Sequence, residues 1–209
     1  MIRIITNIEV AQDKKAFQNF DIDGEIKNKM DAIVEEALIQ EGVAVEIIQS
    51  KHIELELSFS MVTEDCIRRI NEEFRNVDKV TDVLSFPQYE DIDEVRTEIK
   101  KTMQNGWSNE NVNEASCAFK VPIFIGDVII CYDVIKKQAE EFGHSLEREF
   151  LYLFTHSVCH LLGHDHMEEE EKIHNVGSKK NIPVTMASDI TKLYGLTRRT
   201  RTAAINASI

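Results

Sequence analysis

Residues 156–166 read His156-Ser157-Val158-Cys159-His160-Leu161-Leu162-Gly163-His164-Asp165-His166. Helix positions four apart share a face, so the imidazoles of His156 and His160 project together and can hold one ion from the same side. Gly163 can take the left-handed conformation that ends a helix, and the turn after it brings His166 round as a third ligand. Three neutral nitrogens with a fourth position open is the coordination of a catalytic zinc, whereas structural zinc is usually closed off by four protein ligands, often thiolates. The stretch therefore predicts a zincin-like metal helix, one zinc ion per chain and chemistry on a water activated by that ion. His164, between the ligands, is expected to face solvent or to sit behind them. Cys159 lies about 100° round the helix from His160 and is expected to pack as a small hydrophobe.

The spacing His-x-x-x-His-x-x-Gly-x-x-His also resembles that of the metzincin proteases, with one difference that matters. The residue after the first histidine is Ser157, where the protease needs a glutamate to take the proton from its water. Peptide hydrolysis is therefore the alternative reading, not the leading one.

Upstream, Ser145 caps a helix that turns Leu146, Phe150, Leu153, Phe154, Val158, Leu161 and Leu162 inward and runs into the histidines. Residues 132–142 predict a helix stopped by Gly143. Residues 121–131 predict a strand pair, or one strand bent at Gly126. Earlier still, residues 2–10 are strand-like, and residues 25–40 space Ile26, Met30, Ile33, Val34, Ala37 and Leu38 as an amphipathic helix stopped by Gly42. Residues 43–49 and 53–59 read as two strands paired across 50–52, the second with one wet face, and His52 in that turn reads as a surface residue. Thr63 caps a helix with a buried stripe of Ile67, Ile70 and Phe74 that ends near Arg75. Residues 81–87 form a short edge strand closed by Pro87. Residues 88–118 read as a polar excursion, part helical over 92–103. Beyond the histidines come the acidic run 168–171, a loop with Gly177 and Pro183, a short helix near 186–194, and a flexible basic tail over 196–209 with Arg198, Arg199 and Arg201.

The 209 residues suffice for one domain with a real core, and 43% hydrophobic with 29% charged residues is ordinary for a globular chain. No apolar run approaches the roughly 20 residues that cross a bilayer, so no membrane partner and a cytoplasmic location are expected. Cys66, Cys117, Cys131 and Cys159 form no close pair, which suggests neither a thiolate zinc site nor a disulfide framework. The net charge of −13 argues against broad attraction to nucleic acid, so an RNA substrate would have to be held by a local basic patch and the metal.

Three stretches together resemble the YbeY family of bacterial metal-dependent endoribonucleases. They are Asn71-Glu72-Glu73-Phe74-Arg75 followed by residues 81–87; Ile125-Gly126-Asp127-Val128-Ile129-Ile130; and the histidine stretch with His144-Ser145 and Arg148-Glu149 before it. The resemblance implies an α+β fold in a single domain, with a small mixed four-stranded sheet packed by helices. It implies zinc on His156, His160 and His166, and Arg75 as the functional arginine. The implied activity is cleavage of single-stranded RNA in 16S rRNA 3′ end maturation and ribosome quality control, with rRNA and ribosomal particles as partners. Ser157 stands where the family commonly has glycine, and residues 173–184 depart from its usual ending.

The same roles make chemical sense. Phosphodiester cleavage concentrates negative charge on the phosphorus oxygens, and a metal with a forked guanidinium can stabilise it from two sides. Without the resemblance, Arg75 reads as a solvated helix-end arginine. Glu168 to Glu171 read as a solvated helix start or a source of a base, and the tail arginines as phosphate contacts or a soluble end. Asp82 and Asp127 are expected to stabilise strand-end turns. Beside the protease, a noncatalytic ribosome-assembly factor with a structural metal is the other alternative.

Overall fold

The computed structural model describes residues 2–7, 22, 24–44, 47, 53–107 and 121–164. The elements run β1 (Ile2–Asn7), α1 (Gly24–Gln40), β2 (Ile53–Val62), α2 (Glu64–Arg75), β3 (Val83–Pro87), α3 (Ile92–Trp107), β4 (Val121–Cys131), α4 (Tyr132–Phe142) and α5 (Leu146–Leu161). The strands form one mixed sheet in the order β1-β2-β4-β3. β2 runs parallel to both β1 and β4, and β3 is an edge strand antiparallel to β4. The fold class is α+β.

β2 occupies the centre because its alternation suits it. Ile53, Leu55, Leu57, Phe59 and Met61 are buried, and the residues between them are half-covered. The buried side receives α5: Phe59 meets Phe150 and Phe154 edge to face, with ring centroids 5.4 and 6.2 Å apart. Met30, Ile33, Val34, Ala37 and Leu38 of α1 join the same core, each large side chain worth about 1.5–3 kcal/mol of burial. A smaller cluster beneath α2 gathers Val62, Ile67, Leu84 and Cys131.

β4 is one bent strand. Its register to β2 skips Ile125, because Glu56 faces Phe124 while Leu57 faces Gly126. Gly126 sits at φ 139°, a conformation that favours glycine.

Several expectations change. Of the expected strand 43–49 the described residues are Val43, Ala44 and Ile47, and none is in a strand: the Ile47 N–H donates to the Ala44 carbonyl at 2.9 Å and Ile47 is helical. β2 consequently pairs with β1 and β4, not with its predecessor; the β-branched residues Val43 and Ile47 had imitated a strand over too short a window. Within the segment read as a polar excursion, the part expected to be helical, 92–103, is α3, which runs on to Trp107 and puts Ile92, Val95 and Ile99 into the main core, so the polarity of that part belongs to one face of an amphipathic helix. On α2, Ile67 is buried but Phe74 is 63% exposed, touching the edge strand through the Phe86 ring. Asp127 lies within β4 opposite Phe86, not at a strand-end turn. His52, Cys117, the acidic run 168–171, residues 173–184 and the tail lie outside the described residues.

Candidate functional site

α5 is fixed at its start by Ser145, whose hydroxyl accepts the Arg148 N–H at 3.2 Å, an N-cap bond. One turn on, the almost wholly buried Glu149 carboxylate lies 3.3 Å from His144 Nδ1. Ten of the helix's 16 residues are buried, so what the last turns present is held by the core. They present His156 and His160, both partly exposed. The Nε2 atoms lie 3.1 Å apart and the rings are crossed at 88°. Two lone pairs at that distance repel unless a proton or a cation sits between them, so the donor pair suits one shared cation.

The helix ends as its glycine predicts. Gly163 takes φ 83°, its N–H donates to His160, and the His164 N–H reaches back to Cys159, the double bond of a Schellman motif. A side chain at Gly163 would come within 2.6 Å of the Asp91 Cα, so the glycine also lets the chain ahead of α3 lie against the end of α5.

His164 does not face solvent. It is 3% exposed, and Nε2 sits 2.9 Å from Glu41 Oε1 just past α1. Nothing local in the sequence signals this pair, whose members are 123 residues apart. Cys159 packs as a buried hydrophobe; burial, with the Glu41 charge adding, pushes its thiol up to about 12, which leaves it protonated and inert. Ser157 is fully buried and its Oγ has no partner among the described residues.

Opposite the histidines lies an open cleft of about 1020 Å³, and Arg75 lines it with them. The last residue of α2, Arg75 reaches round the edge strand: its Nη2 donates to the Ser85 carbonyl at 3.3 Å, and its guanidinium lies 5.9 Å from the Phe86 ring centroid. The turn behind it is pinned by Asn76 in the left-handed conformation and by Asn71 Nδ2 donating to the Lys79 carbonyl at 2.7 Å. Asp82 and Asp91, also on the cleft, are engaged locally: Asp82 Oδ1 accepts the Val83 N–H, and Asp91 Oδ1 caps α3 by accepting the N–H groups of Asp93 and Glu94. Arg75, 81 positions before His156 in the chain, therefore shares one cavity with His156 and His160. His166 lies outside the described residues, and among those described no third histidine, cysteine or carboxylate completes a metal-holding group.

An α+β fold that gathers a histidine pair and a guanidinium in one open cleft has the makings of a site for an anionic substrate. The family model described as Endoribonuclease YbeY matches residues 7–184. Two Clostridium botulinum proteins named Endoribonuclease YbeY are similar to the chain. That of strain Eklund 17B is 38% identical over 156 residues, covering 75% of this chain and 85% of the relative. That of strain Hall is 38% identical over 154 residues, covering 73% and 82%. The chain belongs to the YbeY endoribonuclease family. The solution structure of TM1509 from Thermotoga maritima is 23% identical and covers 93% of this chain and 90% of its own, with a TM-score of 0.44; at that score the likeness adds nothing to the assignment.

Proposed function

We propose that the chain is a metal-dependent endoribonuclease of single-stranded RNA, acting in the cytoplasm on the 3′ end of 16S rRNA during maturation and ribosome quality control. The observation that supports this most is the crossed pair of imidazoles, Nε2 to Nε2 at 3.1 Å, facing the same cleft as Arg75. Two nitrogens on one tetrahedral zinc stand about 3.3 Å apart, so the pair on its zincin-like helix fits such an ion, with His166, beyond the helix end, as the third ligand. When bound, the ion would act as a Lewis acid on a phosphate oxygen or lower the pKa of a water.

The chain's own groups do the rest. Arg75 spends one N–H on Ser85 and keeps the others for phosphate oxygens, whose charge grows towards the transition state. The anchoring bond holds the guanidinium at the cleft instead of leaving it to sweep through solvent. Backbone N–H groups occupy Asp82 Oδ1 and Asp91 Oδ1, which fixes these carboxylates in place. Buried Ser157 supplies no base where a metzincin would have its glutamate, which counts against peptide hydrolysis. No helix among the described residues is long and apolar enough to cross a membrane.

The test is metal analysis of the purified protein beside cleavage of a single-stranded rRNA fragment. About one equivalent of zinc and cleavage that disappears in His160→Ala are expected. Cleavage that survives that substitution and chelation would overturn the proposal.

A further inference from the structure

Phe74 is the most exposed large hydrophobic side chain among the described residues, at 63%; the others are Val77 and Met103. It belongs to the last turn of α2, next to Arg75. Its ring meets Phe86 only in a tilted edge contact, with centroids 5.3 Å apart and planes at 64°. Phe86 in turn lies beside the Arg75 guanidinium. The Phe74 ring is thus linked, through Phe86, to the arginine that lines the histidine cleft.

We infer that Phe74 is a base-stacking, specificity-determining residue: it receives an unpaired nucleobase of the RNA strand whose neighbouring phosphate lies at Arg75. The inference rests on the RNA-cleaving reading above and deepens it. Three observations select a nucleobase over other occupants. A protein partner needs about 1,000 Å² of complementary surface, whereas this patch is one ring with Val77 near it. The adjacent cation matches the phosphate that accompanies every base. The net charge of −13 opposes long-range attraction of RNA, so affinity must come from short-range contacts, of which base–aromatic stacking is a strong and sequence-tolerant one.

The geometry also makes discrimination physical. Asn76 and the Asn71–Lys79 bond fix the end of α2, so the ring is presented on a rigid turn. A base within a duplex has both faces covered by its neighbours and cannot use the ring without unstacking. A splayed single strand can. Selectivity for unpaired RNA then follows from Phe74 even though phosphate, metal and arginine treat both forms alike.

The test uses the metal-loaded full-length protein. The chain has a single tryptophan, at 107, so Phe74→Trp in a Trp107→Phe background places one fluorophore at the ring. A single-stranded oligouridylate is expected to quench it saturably, and a duplex of equal length is not. In steady-state cleavage, Phe74→Ala should raise KM roughly tenfold, within what one stacked base supplies, with kcat changed less than about twofold because the ring touches no reacting atom. Phe74→Tyr should restore KM. Cleavage of the oligomer by Phe74→Ala with unchanged KM, or by the tryptophan reporter without quenching, overturns the inference and leaves the nuclease reading intact. Absence of cleavage by the unmodified, metal-loaded protein overturns both.

Discussion

α5 and α2 both contribute to the lining of the same cleft and are built on opposite plans. α5 buries ten of its 16 residues, Phe150 and Phe154 among them. α2 buries only Ile67 and Asn71 of its 12, and leaves Phe74 and much of its length in water. The wall that would hold an ion is an extension of the core, while the wall that would meet a substrate is a surface helix stiffened at its end by hydrogen bonds. Donor atoms sharing one cation tolerate little displacement, so they profit from close packing. An arginine and an aromatic ring that follow a flexible strand tolerate more.

That contrast can be broken by substitution. His160→Ala should abolish metal binding and lower RNA cleavage by more than about a hundredfold, since even groups behind a ligand can cost that much; stoichiometric zinc retained by the variant would remove His160 from the site. Phe154→Ala should destabilise the whole fold by about 3–5 kcal/mol, read by chemical denaturation, and should weaken metal binding with it. A variant that lost stability while holding its metal as tightly would separate the α5 wall from the core. On the other wall, Arg75→Ala should lower kcat by on the order of a hundredfold with an unchanged melting temperature, and Arg75→Lys should restore little, because an ammonium lacks the fork. Unaltered kcat in Arg75→Ala would assign the guanidinium to structure.

Smaller effects sharpen the same comparison. Ser157→Ala removes a buried hydroxyl with no partner among the described residues and should stabilise α5 by about 1 kcal/mol; a loss of stability would mean that the hydroxyl is bonded. The Arg68 guanidinium, whose Nη2 donates to Asp78 Oδ2 at 2.8 Å, holds the Asp78 carboxyl below its usual range. A depressed carboxyl stabilises the fold above its unfolded value of about 3.9 and loses that contribution as pH falls through its lower folded value. Arg68→Ala should therefore flatten, slightly, the acid limb of the stability profile below about pH 4, and an identical limb would leave the pair without weight.

The sequence made α5 legible because three signals agree there: the Ser145 cap, the apolar period and the glycine stop. The cleft partners His156, His160 and Arg75 were legible as chemistry, the first two by spacing and the third only through a family resemblance. At Val43, Ala44 and Ile47 the reading of 43–49 as a strand misled, because β-branched residues dominate a window too short to tell period 2 from period 3.6. α3 was legible as a helix over 92–103, though its wet face hid that it joins the core, and the exposure of Phe74 was hidden by a stripe that continues in sequence after the core beneath it has ended. The Glu41–His164 contact had no local signal, since only the folded chain brings α1 to the end of α5.

The kink of β4 has a last consequence. A methyl group at Gly126 would stand 2.9 Å from Leu161 Cδ2 and closer still to the Phe86 carbonyl oxygen. The bare backbone there lets the border of the sheet and the terminal leucine of the histidine helix press in from two directions. A side chain at position 126 would therefore wedge apart the helix that carries His156 and His160 and the edge strand whose Ser85 carbonyl anchors Arg75.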